Sequence, residues 1–145
     1  MIWLLIIALA AGLLLLAIIG GSKSGTGKRR SGSSAHAGAV DRDFVTRKWA
    51  AIETMTAGTG SSLRDAVSEA DKLLDYALRQ SGVGGETMGE RLKNSGRRFS
   101  DLDAIWRAHK VRNALAHEAD FDLVPSQARE AVQDFERGLH DLGAL

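Results

Sequence analysis

Residues Ile2 to Ile19 form one apolar run that no charged or strongly polar side chain interrupts, with only Gly12 among the large apolar residues. At ~1.5 Å of rise per residue, about 20 such residues span the ~30 Å hydrocarbon core of a bilayer. A helix packed on a soluble core keeps one polar face, and this run has none. The rival is a cleavable signal peptide, which opens on a basic n-region and closes on a small-residue cleavage site. No basic side chain precedes Ile2, and the run is longer than the usual apolar stretch of such a leader. Residues 1–20 are therefore expected to be a retained single transmembrane anchor, with Trp3 near one interface.

The residues after the run set its orientation. Lys23, Lys28, Arg29 and Arg30 all follow it, and the positive-inside rule keeps that flank cytoplasmic. The expected location is the cell membrane, single-pass, with the C-terminal domain on the cytoplasmic side. Residues 21–40 are rich in Gly and Ser and read as a flexible basic linker. The stretch Gly25-Thr26-Gly27-Lys28 is only a fragment of a phosphate loop: it lacks the first glycine at the required spacing and the following Ser or Thr, and no strand precedes it.

Residues 41–145 then form one domain, long enough to bury a single core. The chain has 19 basic and 18 acidic residues for a net charge of +1. Four of the basic residues precede residue 41 and no acidic one does, so the domain is net acidic at −3. That balance excludes a general electrostatic magnet for nucleic acid; any RNA contact has to be local. The absence of cysteine excludes disulfides and thiolate metal sites. No carboxylate–histidine set has the spacing of metal ligands.

The domain reads as all-α, four or five helices in an up-and-down bundle. Phe44, Val45, Trp49, Ile52 and Met55 keep helical spacing through the first helix. Ser61 or Ser62 is placed to cap a second, whose stripe is Leu63, Ala66, Val67, Ala70, Leu74, Ala77 and Leu78. Gly82, Gly84 and Gly85 end it. Thr87 and Glu90 have capping-box spacing ahead of a short helix toward Asn94. Ser100 opens a fourth helix to about His117. Pro125 suits the first turn of the last, with Ala128, Val132, Phe135, Leu139 and Leu142 as its stripe and Gly143 as its stop.

Helix 100–117 carries two non-polar faces. At about 100° per residue, Ala104, Ala108, Val111 and Leu115 share one, while Leu102, Trp106, His109, Asn113 and Ala116 lie roughly opposite. Either the helix lies centrally in the monomer or the mixed face meets a second protomer; a polar–aromatic face resembles an interface more than a core, which favours a homodimer through this helix. Asn113 and His117 are i, i+4 neighbours with hydrogen-bonding potential, whereas Arg112 lies about 140° from His117. Those two converge only if Arg112 curls along the surface, if the helix unwinds near His117, or across a dimer.

The segment Arg112-Asn113-Ala114-Leu115-Ala116-His117 resembles the R-x(4–6)-H motif, with Asn after Arg, of HEPN domains (higher eukaryotes and prokaryotes nucleotide-binding). Trp106 to Lys110, Glu118 to Phe121, Glu69 to Leu74 and Gly85 to Glu90 are similar to segments of small bacterial members, in the same order, so the likeness covers most of residues 41–145. The resemblance implies a dimeric, metal-independent endoribonuclease, with RNA as substrate and no cofactor. His117 would take the proton of a ribose 2′-OH, Arg112 would hold the phosphate, and Asn113 would orient His117 or touch the phosphate. The products would be 2′,3′-cyclic phosphate and 5′-OH ends. His109, Lys110, Glu69 and Asp71 are the implied substrate-side residues, with Glu69 or Asp71 positioning Arg112.

Each residue also has a plainer reading. Arg112 pairs with an acidic side chain of a neighbouring helix; Asn113 and His117 close a helix C-terminus, where the dipole favours a cation. His109 is structural or solvated, and Trp49 and Trp106 are packing anchors. Arg97 and Arg98, an adjacent arginine pair of the domain, touch RNA or face water. The alternative function is then a non-catalytic helical module that dimerises or holds a protein partner at the cytoplasmic membrane surface.

Overall fold

The computed structural model describes residues 39–145. The expected anchor at 1–20 and nearly all of the linker lie outside the described residues. Within them the chain forms five α-helices and no strand: α1 Arg42–Thr56, α2 Ser61–Gln80, α3 Met88–Asn94, α4 Leu102–His117 and α5 Pro125–Asp141. None of these helices is long and apolar enough to cross a membrane.

α2 is the hub and touches each of the other four helices. Its apolar stripe is buried along its whole length, from Leu63 through Leu74 to Leu78. The stripe of α5 answers it: Ala128, Val132, Phe135 and Leu139 are all buried, and Leu142 packs half-buried beyond them. Burying one such Leu or Phe side chain contributes roughly 1.5–3 kcal/mol, so these facing stripes supply much of the driving force for the fold. Trp49 of α1 is also buried, and its indole N–H donates to Glu136 of α5 over 3.2 Å.

The helix ends follow the local chemistry, with two differences from the sequence reading. Thr87 and Glu90 form the expected capping box of α3, and Pro125 takes the first turn of α5. α2, by contrast, starts after Gly60, which has φ +57° and offers no side-chain cap. Neither serine caps it: Ser61 is already helical, and the Ser62 hydroxyl donates to the Met55 carbonyl at 2.8 Å, tying the end of α1 to the start of α2. α4 starts at Leu102, two residues later than expected. Asp101 caps it by accepting from the Ala104 N–H, because the N–H and hydroxyl of Ser100 both donate to Asp141 at 2.8 Å.

α4 is buried over a wider arc than either expected face. Ala104 and Ala108 are buried and Val111 and Leu115 half-buried, but Ile105, which belongs to neither face on the helical wheel, is fully buried too. On the mixed face, His109 is covered by α2 and Trp106 stands against α3, where it faces Gly89. This stretch of the face is thus largely covered within one chain.

Candidate active site

The mixed face of α4, the Asp71–Asp75 side of α2, and α3 with the turn before it enclose an open groove of about 750 Å³. Two ionic locks shape it. The first is Arg91, whose Nε and Nη2 reach the two carboxylate oxygens of Asp75 at 2.6 and 3.2 Å. Its remaining donors take the Gly85 and Glu86 carbonyls, so one guanidinium fastens α3 and its leading turn to α2. The planar fork suits this task; an ammonium has no equivalent geometry.

The second lock is Asp71, which is 3% exposed and accepts from Nδ1 of His109 at 2.7 Å through Oδ1. Its other oxygen, Oδ2, lies 3.4 Å from Nε of Arg112. Asp71 and Asp75 are one helical turn apart and so project from the same side of α2. Each braces a different wall of the groove, which keeps the buried Asp71 and the half-buried Asp75 paired with cationic or hydrogen-donating groups.

The groove wall also exposes charged side chains to solvent. The Arg112 side chain is 30% exposed and lines the groove with Lys110, Lys93 and Asn113. Trp106 and His109 form part of the same wall, their rings edge to face at 5.9 Å. No three of the described His, Asp and Glu side chains gather as a metal ion would require.

The expected site residues divide. Arg112, Asn113, His109, Lys110 and Asp71 come together in the groove. Glu69 does not: it pairs with Lys72 at 2.7 Å and faces the apolar cleft between α1 and α2, beside Phe44 and Tyr76. His117 is exposed in the last turn of α4 and is not part of the groove wall. Asn113 does not bond to His117 either; its Oδ1 accepts from Arg112 at 3.2 Å. The helical offset between positions 112 and 117 is the reason: Arg112 turns toward Asp71 of α2, while His117, about 140° around the helix, is exposed to solvent. Arg97 and Arg98 are exposed in the turn between α3 and α4, outside the groove wall.

The Arg91–Asp75 lock and the opening at Gly89 escaped the sequence reading. The signal for the first was present in the i, i+4 spacing of Asp71 and Asp75, which places two acids on one side of an otherwise apolar helix face. No family model, no curated protein and no solved structure matches the chain.

Proposed function

We propose that this protein is a membrane-tethered, HEPN-like endoribonuclease that cleaves RNA without a metal ion, through a site completed by two copies of the chain. The observation that carries the reading is Arg112: a permanently charged fork, aligned by a buried carboxylate and still 30% exposed on an open groove of about 750 Å³. Such a group holds a phosphate and offsets the charge that grows on it in the transition state. Lys110 and Lys93 also line the groove, together with the acidic Glu86 and Glu90. Arg112 and the two lysines supply the local contact that a net acidic domain needs. His117, exposed at the end of α4, is the imidazole that a second copy brings to the groove for proton transfer. Residues 1–20 hold the domain at the cytoplasmic face of the membrane.

The test uses the full chain in detergent micelles with mixed RNA and EDTA, beside the Arg112→Ala and His117→Ala chains. Each variant alone is inactive on this reading. Refolded together as mixed dimers, the two variants regain about a quarter of wild-type activity, because half of the dimers carry one intact site of two.

One observation favours the second reading, a non-catalytic dimerisation or partner-binding module. Arg112 is already bonded to Asp71 and Asn113, and a single chain leaves His117 outside the groove. A folded dimeric chain that binds RNA weakly and never cuts it would support that module instead.

A further inference from the structure

Cleavage of RNA through its own 2′-hydroxyl needs two proton transfers, one from the 2′-oxygen and one to the departing 5′-oxygen. Resting on the ribonuclease reading, we infer that His109, held by Asp71, accepts the 2′-hydroxyl proton, which leaves the imidazole of His117 for the 5′-oxygen.

The argument begins with the tautomer. An ionised carboxylate only accepts hydrogen bonds, so the 2.7 Å contact to Asp71 fixes the ring hydrogen on Nδ1. The lone pair of the neutral ring then lies on Nε2. The His109 side chain is about nine-tenths buried, at 9% exposure. Among the described residues every fully buried polar side-chain atom has a hydrogen-bond partner, and none bonds to Nε2. Nε2 therefore keeps some solvent exposure, and His109 forms the groove wall with Trp106.

Gly89 of α3 keeps that approach open. A Cβ at position 89 would stand 3.9 Å from Nε2 and 3.6 Å from the Trp106 ring, where there is now no side chain. The same Asp71 carboxylate that orients His109 also faces Arg112 at 3.4 Å. One buried group thus sets a proton acceptor beside a phosphate-holding cation, the pairing that attack by a 2′-oxygen on its neighbouring phosphorus requires.

The step balances as follows. Nε2 takes the 2′-hydroxyl proton, the 2′-oxygen bonds to phosphorus, and the bond from phosphorus to the 5′-oxygen breaks. The 5′-oxygen takes a proton from His117 of the second copy, giving the cyclic phosphate and the free 5′-hydroxyl. His109 ends protonated and His117 neutral, and exchange with water resets both. Asp71 offsets the positive charge that appears on His109 during the transfer.

A substrate with sulfur in place of the bridging 5′-oxygen separates the two roles, because a thiolate departs without a proton. The full chain in detergent and EDTA is given a DNA strand with one ribonucleotide, in the sequence context it cuts fastest, with either oxygen or sulfur at that bridge. His117→Ala is expected to lose at least about 100-fold on the oxygen substrate and to recover on the sulfur one. His109→Gln is expected to lose as much on both. Gly89→Leu covers Nε2 while sparing His109, Asp71 and Arg112, and leucine suits a helix better than glycine. It is expected to behave as His109→Gln does, and it decides the matter if His109→Gln does not fold. Wild-type rates in Gly89→Leu, or rescue of His109→Gln by sulfur, would overturn the assignment. A wild-type chain inert on both substrates would instead overturn the ribonuclease reading on which the assignment rests.

Discussion

Nδ1 of His109 donates to Oδ1 of Asp71 across 2.7 Å, joining α4 to α2 through two side chains that are both almost fully buried. Removing one partner of such a buried pair typically costs about 3–5 kcal/mol, because the other is left uncompensated. Asp71→Ala is therefore expected to lower unfolding free energy by about 3 kcal/mol in urea titrations. Asp71→Asn, which keeps a carbonyl to accept from Nδ1, loses less. An Asp71→Ala chain as stable as the wild type would show that the pair contributes nothing to the fold.

The packing of α4 on α5 rests on a missing methyl group. A Cβ at Gly138 would stand 2.5 Å from the Cδ1 of Ile105 and 3.2 Å from Leu74 Cδ2, and all three residues are buried. Gly138→Ala gains up to about 1 kcal/mol in helix propensity, but overpacking of a tight core costs about 1–3 kcal/mol. The expected result is a net loss of about 1 kcal/mol. Ile105→Val removes the clashing carbon, so the double variant Gly138→Ala/Ile105→Val is expected to be more stable than the sum of the two single changes. Simple additivity would contradict the contact.

Arg91 is expected to resist replacement by lysine. Its Nε and both terminal nitrogens are engaged, by Asp75 and by the Gly85 and Glu86 carbonyls. An ammonium cannot reproduce that fork. Losing one charge-assisted bond costs about 1.5–3 kcal/mol. Arg91→Lys is expected to loosen α3 first, read as faster amide hydrogen exchange over 88–94 than in α2 or α5.

Two carboxyls give opposite pH dependences. The Glu86 and Thr87 backbone N–H groups hold Glu90 below its ordinary value of 4.5. Its contribution to the α3 cap is present above that value and is lost as pH falls through the lowered folded one. Burial pushes Asp134 above its ordinary value of 3.8, against the pull of Arg137 and Arg107. The folded chain therefore holds that proton more tightly, and stability falls as pH rises from 3.8 through the raised folded value. Glu90→Gln is expected to flatten the acid loss of stability, and Asp134→Asn to remove the decline on the neutral side. Urea titrations from pH 3 to 7 compare them, and identical profiles for both variants and the wild type would contradict these assignments.

Much of the scaffold was legible in the sequence because it rests on local chemistry. The stripes of α2 and α5, the Thr87–Glu90 box and Pro125 are all set by residues within one turn of one another. The errors arose where a distant group competed. Ser100 was drawn from opening α4 by Asp141, 41 residues away, and Ser62 from capping α2 by the Met55 carbonyl. Ile105 escaped both expected faces because α5 offers it a socket at Gly138, which no helical wheel of α4 can reveal.

The site was legible in composition but not in partnership. Arg112, Asn113, His109, Lys110 and Asp71 do share one groove, whereas Glu69 lies in another cleft one side-chain direction away on α2. Only Ala70 separates Glu69 from Asp71, and a helix turns positions two apart to different neighbours. His117 lies five positions from Arg112 but outside the groove wall.

The most direct measurement is the end chemistry of RNA incubated with the full chain in detergent and EDTA. Fragments ending in 2′,3′-cyclic phosphate and 5′-hydroxyl, abolished in Arg112→Ala while its helical circular dichroism is unchanged, are the expected result. Intact RNA from a folded dimeric wild-type chain, or cleavage that survives Arg112→Ala, would contradict a ribonuclease built around Arg112.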